Sequence, residues 1–127
     1  MKLLLDTHVL IWFVGGDARL STAARAAIER ADERLLSVAS VWEIAIKTSL
    51  GKLTLDRDLD EWVEEACGRA AVDMLAIEAR HALATAVLPW HHRDPFDRLL
   101  VAQAMVEGAT LVSADPKMGA YGIAVIA

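Results

Sequence analysis

Five acidic residues stand where this chain could use them together: Asp6, Glu43, Asp94, Asp97 and Asp115. Asp6 closes the run Lys2-Leu3-Leu4-Leu5, which is too short for a helix of its own and reads as a buried strand. In open parallel α/β sheets, ligands sit in the crevice outside the carboxyl ends of the strands, and Asp6 stands at such an end. Asp115 lies just past another apolar run, and Glu43 and Asp97 fall in the first turns of helices that follow strands or loops. All four positions share one rim of a parallel sheet, whereas unrelated surface acids would spread over both rims. Carboxylates crowded in this way repel one another and raise each other's pKa. A hard divalent cation relieves that repulsion, and Mg²⁺ or Mn²⁺ prefers oxygen ligands. Such a site can activate a water and clamp the oxygens of an in-line phosphoryl displacement, so the chemistry expected is metal-assisted phosphodiester hydrolysis.

Each acid also has a plainer role. Asp6 can cap the helix that begins near His8. Ser40-x-x-Glu43 fits a capping box, and Lys47 at i+4 offers Glu43 an ion pair. Asp94 before Pro95 is the pattern of an N-cap with proline at the first helical position. Asp97 is then the third residue of that helix, favoured by its dipole, and Asp115 before Pro116 is an ordinary turn signal.

The elements that must position these acids alternate between strand and helix. A short helix is expected over His8–Val14, closed by Gly15-Gly16, and a second over Ala23–Ala31, capped by Ser21 or Thr22. Leu35–Val38 reads as a strand, and Ser40 opens a helix over Val41–Leu50 that stops at Gly51. A brief extended piece at Leu53–Leu55 precedes an amphipathic helix over Asp58–Ala71. Val72–Ile77 is a further strand and Glu78–Val87 a helix. After the polar loop Pro89–Arg93, a helix runs from Asp94-Pro95 to Glu107 and ends at Gly108, before strands at Ala109–Ser113 and Gly122–Ile126. This alternation predicts a single α/β domain with a parallel sheet covered on both faces.

Composition narrows the class further. At 127 residues the chain can bury a proper core without staples. No stretch reaches the roughly 18 apolar residues of a membrane span. Asp6 and His8 interrupt the apolar start that would otherwise resemble a secretory leader, so a cytoplasmic protein is expected. The lone Cys67 excludes an internal disulfide and a cysteine zinc site. A net charge of −5 disfavours nucleic acid at first sight, but four metal-binding acids would account for −4 of it. No glycine-rich dinucleotide loop or phosphate-binding Gly-Lys-Ser/Thr loop occurs. An aspartyl-phosphate mechanism needs a second Asp two residues after the first, where this chain has His8.

Four segments together resemble the PIN-domain family, and most closely its VapC-type toxins of bacterial toxin–antitoxin pairs. They are Leu4-Leu5-Asp6-Thr7-His8-Val9-Leu10, Ser40-Val41-Trp42-Glu43-Ile44-Ala45-Ile46-Lys47, Arg93-Asp94-Pro95-Phe96-Asp97-Arg98-Leu99-Leu100-Val101-Ala102-Gln103-Ala104, and Leu111-Val112-Ser113-Ala114-Asp115. The resemblance spans nearly the whole chain in order. It implies a three-layer α/β/α fold with about five strands in the order 3-2-1-4-5. It also implies an Mg²⁺- or Mn²⁺-dependent endoribonuclease that is neutralised by a small antitoxin, forms a homodimer and can join the antitoxin in a larger assembly. The family's acids fall on Asp6, Glu43, Asp97 and Asp115, and its hydroxyl positions near the metal on Thr7 and Ser113. Asp94 and Asp97 compete for the third place by one helical turn. The family spacing ahead of the Leu-Leu-x-Ala run selects Asp97 and leaves Asp94 to the helix start. His91, His92 and Arg93 read as a solvated loop and, with Arg98, are the candidates for contact with RNA.

Two other classes compete. One is a catalytically idle binding module whose acids are only caps. The other is a metal nuclease outside any toxin pair, such as a 5′-nuclease on DNA, for which this short chain lacks threading insertions. The apolar fraction of 55%, the mean hydropathy of +0.34 and the aromatic residues Trp12, Phe13, Trp42, Trp62 and Trp90 point to surface covered by a partner.

Overall fold

A computed structural model describes all residues from Met1 to Ala127. Five parallel strands, β1 (Lys2–Leu5), β2 (Glu33–Ser37), β3 (Asp73–Leu75), β4 (Thr110–Val112) and β5 (Val125–Ile126), form one sheet in the order β3-β2-β1-β4-β5. Six helices cover it: α1 (Thr7–Gly15), α2 (Thr22–Arg30), α3 (Val38–Ser49), α4 (Leu59–Ala70), α5 (Ala79–Ala84) and α6 (Pro95–Glu107). The sheet order and the layering are those expected from the sequence.

Alternation along β1 divides the core. Leu3 and Leu5 pack with Val9, Leu10, Ala24, Ile28 and Ala66 on the face of α1, α2 and α4. Leu4 faces the other way, onto Leu100, Val101, Ala104 and Leu111. All three leucines are fully buried, each contributing about 1.5–3 kcal/mol. A strand covered on both faces is apolar without interruption, which is why β1 reads as an unbroken Leu run up to Asp6.

The hydrogen-bonded ladder runs one residue past the central strands. Leu5 pairs with Val112, Asp6 N donates to Val112 O at 3.0 Å, and Ser113 N donates to Ile126 O at 3.0 Å. Asp6 and Ser113 are thereby held at the same height on the carboxyl rim.

Several boundaries differ from expectation. The third helix starts at Val38 rather than Val41, because Ser37 closes β2 in an extended conformation and its Oγ accepts Ala39 N at 3.0 Å. Ser40 is buried inside the helix, so the Ser40–Glu43 capping box does not form. The helix expected over Glu78–Val87 loosens into a 3₁₀ turn at Thr85–Val87. Leu53–Leu55 joins no sheet, and β5 shrinks to two residues after a 3₁₀ turn at Met118–Tyr121. Of the five aromatics, Trp12, Phe13 and Trp62 pack against the core, and only Trp42 and Trp90 stand largely in solvent.

Candidate metal centre

At the carboxyl rim, β1, β4, α3 and α6 enclose an open groove of about 440 Å³ lined by Asp6, Glu43, Asp94, Asp97 and Asp115, with Lys47 and Arg19 at its side. The two strand-end acids are fixed at both oxygens. Asp6 Oδ1 accepts Thr7 N at 2.7 Å, and its Oδ2 accepts the Ser113 hydroxyl at 2.8 Å. The capping role and the site role of Asp6 are therefore one arrangement. Burial pushes its pKa above the ordinary value despite those two hydrogen bonds. Asp115 Oδ1 accepts Lys117 N at 2.9 Å, and its Oδ2 lies 2.7 Å from His92 Nε2. Burial raises the Asp115 pKa, but these hydrogen bonds outweigh it and hold the group below its usual range.

The two helix acids are less constrained. Glu43 is the sixth residue of α3, well past the helix start, and its one ion pair is with Lys47 at 3.1 Å. Asp97 accepts no hydrogen bond within the protein. Burial, then the charges of Asp94 and Asp6, push its pKa up to about 6. Asp94 caps α6, accepting Phe96 N at 2.8 Å.

A carboxyl group raised by burial and by neighbouring carboxylates marks a place that is both sheltered from water and short of positive charge. Oxygen donors converging on it suit a hard divalent cation. Asp97, Asp115 and His92 each bring a ligand atom within 4.8 Å of the others. Asp6 and Glu43 line the same groove, and the charge of Asp6 is felt at Asp97. Ser113, expected near the metal, does hold Asp6 and also accepts Asp115 N at 3.1 Å. Thr7 Oγ1 is buried without a partner.

The match to the PIN domain covers residues 3–123. The chain belongs to the PIN-domain family. Ribonuclease VapC22 of Mycobacterium tuberculosis is 32% identical to this PIN domain over 119 residues, 93% of this chain and 90% of that protein. The fold also matches VapBC2 from Rickettsia felis, solved with a DNA fragment from their promoter, at a TM-score of 0.73 and 13% identity, over 99% of this chain and 98% of that one. FitAcB from Neisseria gonorrhoeae matches at 0.68 and 18% identity, over 99% and 97%. The VapC-type kinship expected from the sequence is thus borne out.

Two of the four candidates for contact with RNA are buried. Arg98, in the first turn of α6, is turned away from solvent. Its guanidinium donates to the carbonyls of Pro89, Thr85 and Leu88 at 2.8–3.2 Å and lies 3.7 Å from the centroid of the Trp90 ring. His92 is turned inward between Asp115 and Tyr121, while His91 and Arg93 remain exposed. Tyr121, which the sequence reading missed, is 29 residues from its partner His92, and no local pattern signals a pairing at that separation.

Proposed function

We propose that this PIN domain is a VapC-type toxin: a metal-dependent endoribonuclease held in check by a cognate antitoxin. The observation that carries the reading is the gathering of Asp6, Glu43, Asp97 and Asp115 around one groove whose negative charge is only partly matched. Mg²⁺ or Mn²⁺ held by these four carboxylates would supply Lewis acidity at the phosphodiester and a more acidic attacking water. The chain supplies the rest. Ser113 and Thr7 N aim Asp6, Lys117 N fixes one Asp115 oxygen, and Asp97, ionised above about pH 6, would supply a negatively charged oxygen to the cation. A groove open to solvent suits an extended RNA strand better than an enclosed small molecule.

The idle-module alternative loses its main support with Glu43, which caps nothing and still turns toward the groove. A homodimer and an antitoxin complex belong to the same reading, with exposed Trp42 and Trp90 as the surface awaiting cover. The test is RNA cleavage by purified, antitoxin-free protein with Mg²⁺ or Mn²⁺, with EDTA, and with Asp6→Asn. Cleavage only by metal-loaded wild type is expected; undiminished cleavage in EDTA would sink the mechanism.

A further inference from the structure

The segment Pro89–Arg98 is built as one device. Asp94 starts α6, Asp97 enters the groove, and Arg98 reaches back to bind the carbonyls of Thr85, Leu88 and Pro89. The loop so tethered carries His92, whose side chain is nearly buried. The imidazole stacks on Tyr121, with ring centroids 5.6 Å apart and planes 12° from parallel. Its Nδ1 lies 2.8 Å from the Tyr121 hydroxyl and its Nε2 lies 2.7 Å from Asp115 Oδ2.

A carboxylate only accepts hydrogen bonds, so Nε2 must carry the proton. In the neutral ring Nδ1 then presents a lone pair, to which the Tyr121 hydroxyl donates. Asp115 stands in a loop between exposed Ala114 and Pro116, where an unheld carboxylate would rotate freely. Lys117 N and His92 Nε2 each take one of its oxygens, leaving the remaining lone pairs for the groove. Asp6 is held in the same two-point way by Thr7 N and Ser113, with the sheet itself as its support.

We propose that His92, oriented by Tyr121, is a positioning residue that presents the Asp115 carboxylate to the metal and is not itself a ligand. The proposal rests on the metal-dependent reading above, and partners of this kind commonly govern metal affinity by roughly 10- to 100-fold.

Affinities for Mn²⁺ and Mg²⁺, measured by calorimetry on wild type, His92→Phe, His92→Gln and Tyr121→Phe, test it alongside apo melting curves. His92→Phe should weaken both ions together by roughly 10- to 100-fold. His92→Gln should recover most of the loss, because its amide NH₂ can donate from near the place of Nε2. Tyr121→Phe keeps the stacking and should weaken binding by about 3- to 10-fold, the worth of one hydrogen bond. Unchanged affinities in folded His92→Phe would overturn the proposal. Loss of Mn²⁺ with Mg²⁺ retained would also overturn it, because imidazole ligation favours the softer ion. If His92→Phe fails to fold, Tyr121→Phe decides. Nitrogen NMR of the metal-free wild type gives an independent reading: a proton on Nε2 is expected, and a bare Nε2 refutes the clamp. Wild type that binds no divalent ion refutes the metal-dependent reading, and with it the presentation of Asp115 to a metal, even where the Nε2 proton is found.

Discussion

Two clusters of acids around a histidine occupy opposite rims of the sheet, and their charge balance separates them. At the amino rim, Glu78, His81 and Glu107 bring ligand atoms within 4.8 Å of one another, as His92, Asp97 and Asp115 do at the carboxyl rim. By residue type and spacing both could hold a metal. At the amino rim, however, cations of the chain already fill the place. Arg80 lies 2.6 Å from Glu107 Oε2, and Lys2 lies 3.8 Å from Oε1. His81 is fully buried with both nitrogens engaged: Nδ1 accepts Glu78 N at 3.0 Å, and Nε2 faces Glu107 at 2.8 Å. The hydrogen bond from His81, with Arg80 and Lys2 nearby, keeps the Glu107 pKa below its ordinary value. At the carboxyl rim the pKa of Asp97 moves the other way, to about 6. Geometry alone therefore does not separate the two clusters; their surroundings do, since Glu107 has cations beside it whereas Asp97 meets burial and neighbouring carboxylates.

The largest expected contrast is in activity. Asp97→Asn should reduce metal-dependent RNA cleavage by at least about 100-fold, because it removes a ligand charge that no other group replaces. Glu107→Gln should leave cleavage within about threefold of wild type and lower stability by roughly 1–2 kcal/mol, the scale of charge-assisted hydrogen bonds. Cleavage assays and denaturant melts on the two variants measure both effects. If Glu107→Gln loses the activity and Asp97→Asn keeps it, the roles of the two rims are reversed.

The contrast between the rims also explains what the sequence could and could not reveal. Leu3–Leu5 and Asp6 announced β1 and its carboxyl end, since an apolar run that stops at a carboxylate is a local pattern. Pro95 and Gly108 marked the ends of α6 for the same reason. The start of α3 was misplaced because Ser37 and Ser40 are equally good caps, and only the pairing of β2 with its neighbours selects the first. That shift of three residues decides whether Glu43 is a capping residue. The partners at the rim, Ser113 for Asp6 and Tyr121 for His92, are 107 and 29 residues distant. Nothing in composition or periodicity joins them; the pairing of β1 with β4 brings the first pair together.

A second expectation concerns protons competing with metal. Asp97 must be ionised to bind a cation, and its pKa in the metal-free protein lies near 6. Affinity for Mg²⁺ should therefore be level above about pH 7 and fall by up to about tenfold per unit below pH 6. In Asp97→Asn the residual affinity should show a shallower slope, set by Asp6, whose pKa burial also raises. Calorimetric titrations between pH 5 and pH 8 provide the measurement, and a flat wild-type profile would show that Asp97 is not a ligand.

A smaller effect is expected in metal-free stability, and its sign follows from linkage. The folded pKa of Asp97 is raised above its unfolded value of 3.8, so the folded state binds the extra proton. Stability from this group is present below about pH 4 and is lost as pH rises to about 6, after which it stays level. The loss should be roughly 1 kcal/mol, reduced from the full shift because the carboxylate is partly exposed. Asp97→Asn should remove the Asp97 share of the slope, leaving that of Asp6, whose pKa burial also raises, and should raise the neutral-pH melting temperature by a few degrees. Excess Mg²⁺ should raise the wild-type melting temperature instead. Glu107 at the amino rim acts with the opposite sign: its pKa is shifted down, so the stability it contributes above its ordinary value is lost as pH falls through that range.

The smallest expected effect separates Asp94 from Asp97, one helical turn apart. Asp94 accepts Phe96 N at 2.8 Å and ends the loop ahead of Pro95. Asn caps nearly as well, so Asp94→Asn should change stability by only a few tenths of a kcal/mol, whereas Asp94→Ala should cost about 1 kcal/mol. The two substitutions agree in another respect. After burial, the charge of Asp94 is the largest influence raising the pKa of Asp97. Removing that charge by either route should lower the Asp97 pKa and carry Mg²⁺ binding to slightly lower pH. The cap is thus read by melting and the charge by the pH profile, so the two roles of Asp94 come apart in one pair of variants. If instead Asp94→Asn eliminates cleavage at every pH and metal concentration, Asp94 is itself a ligand, and the acid of α6 has been placed a turn too far along the helix.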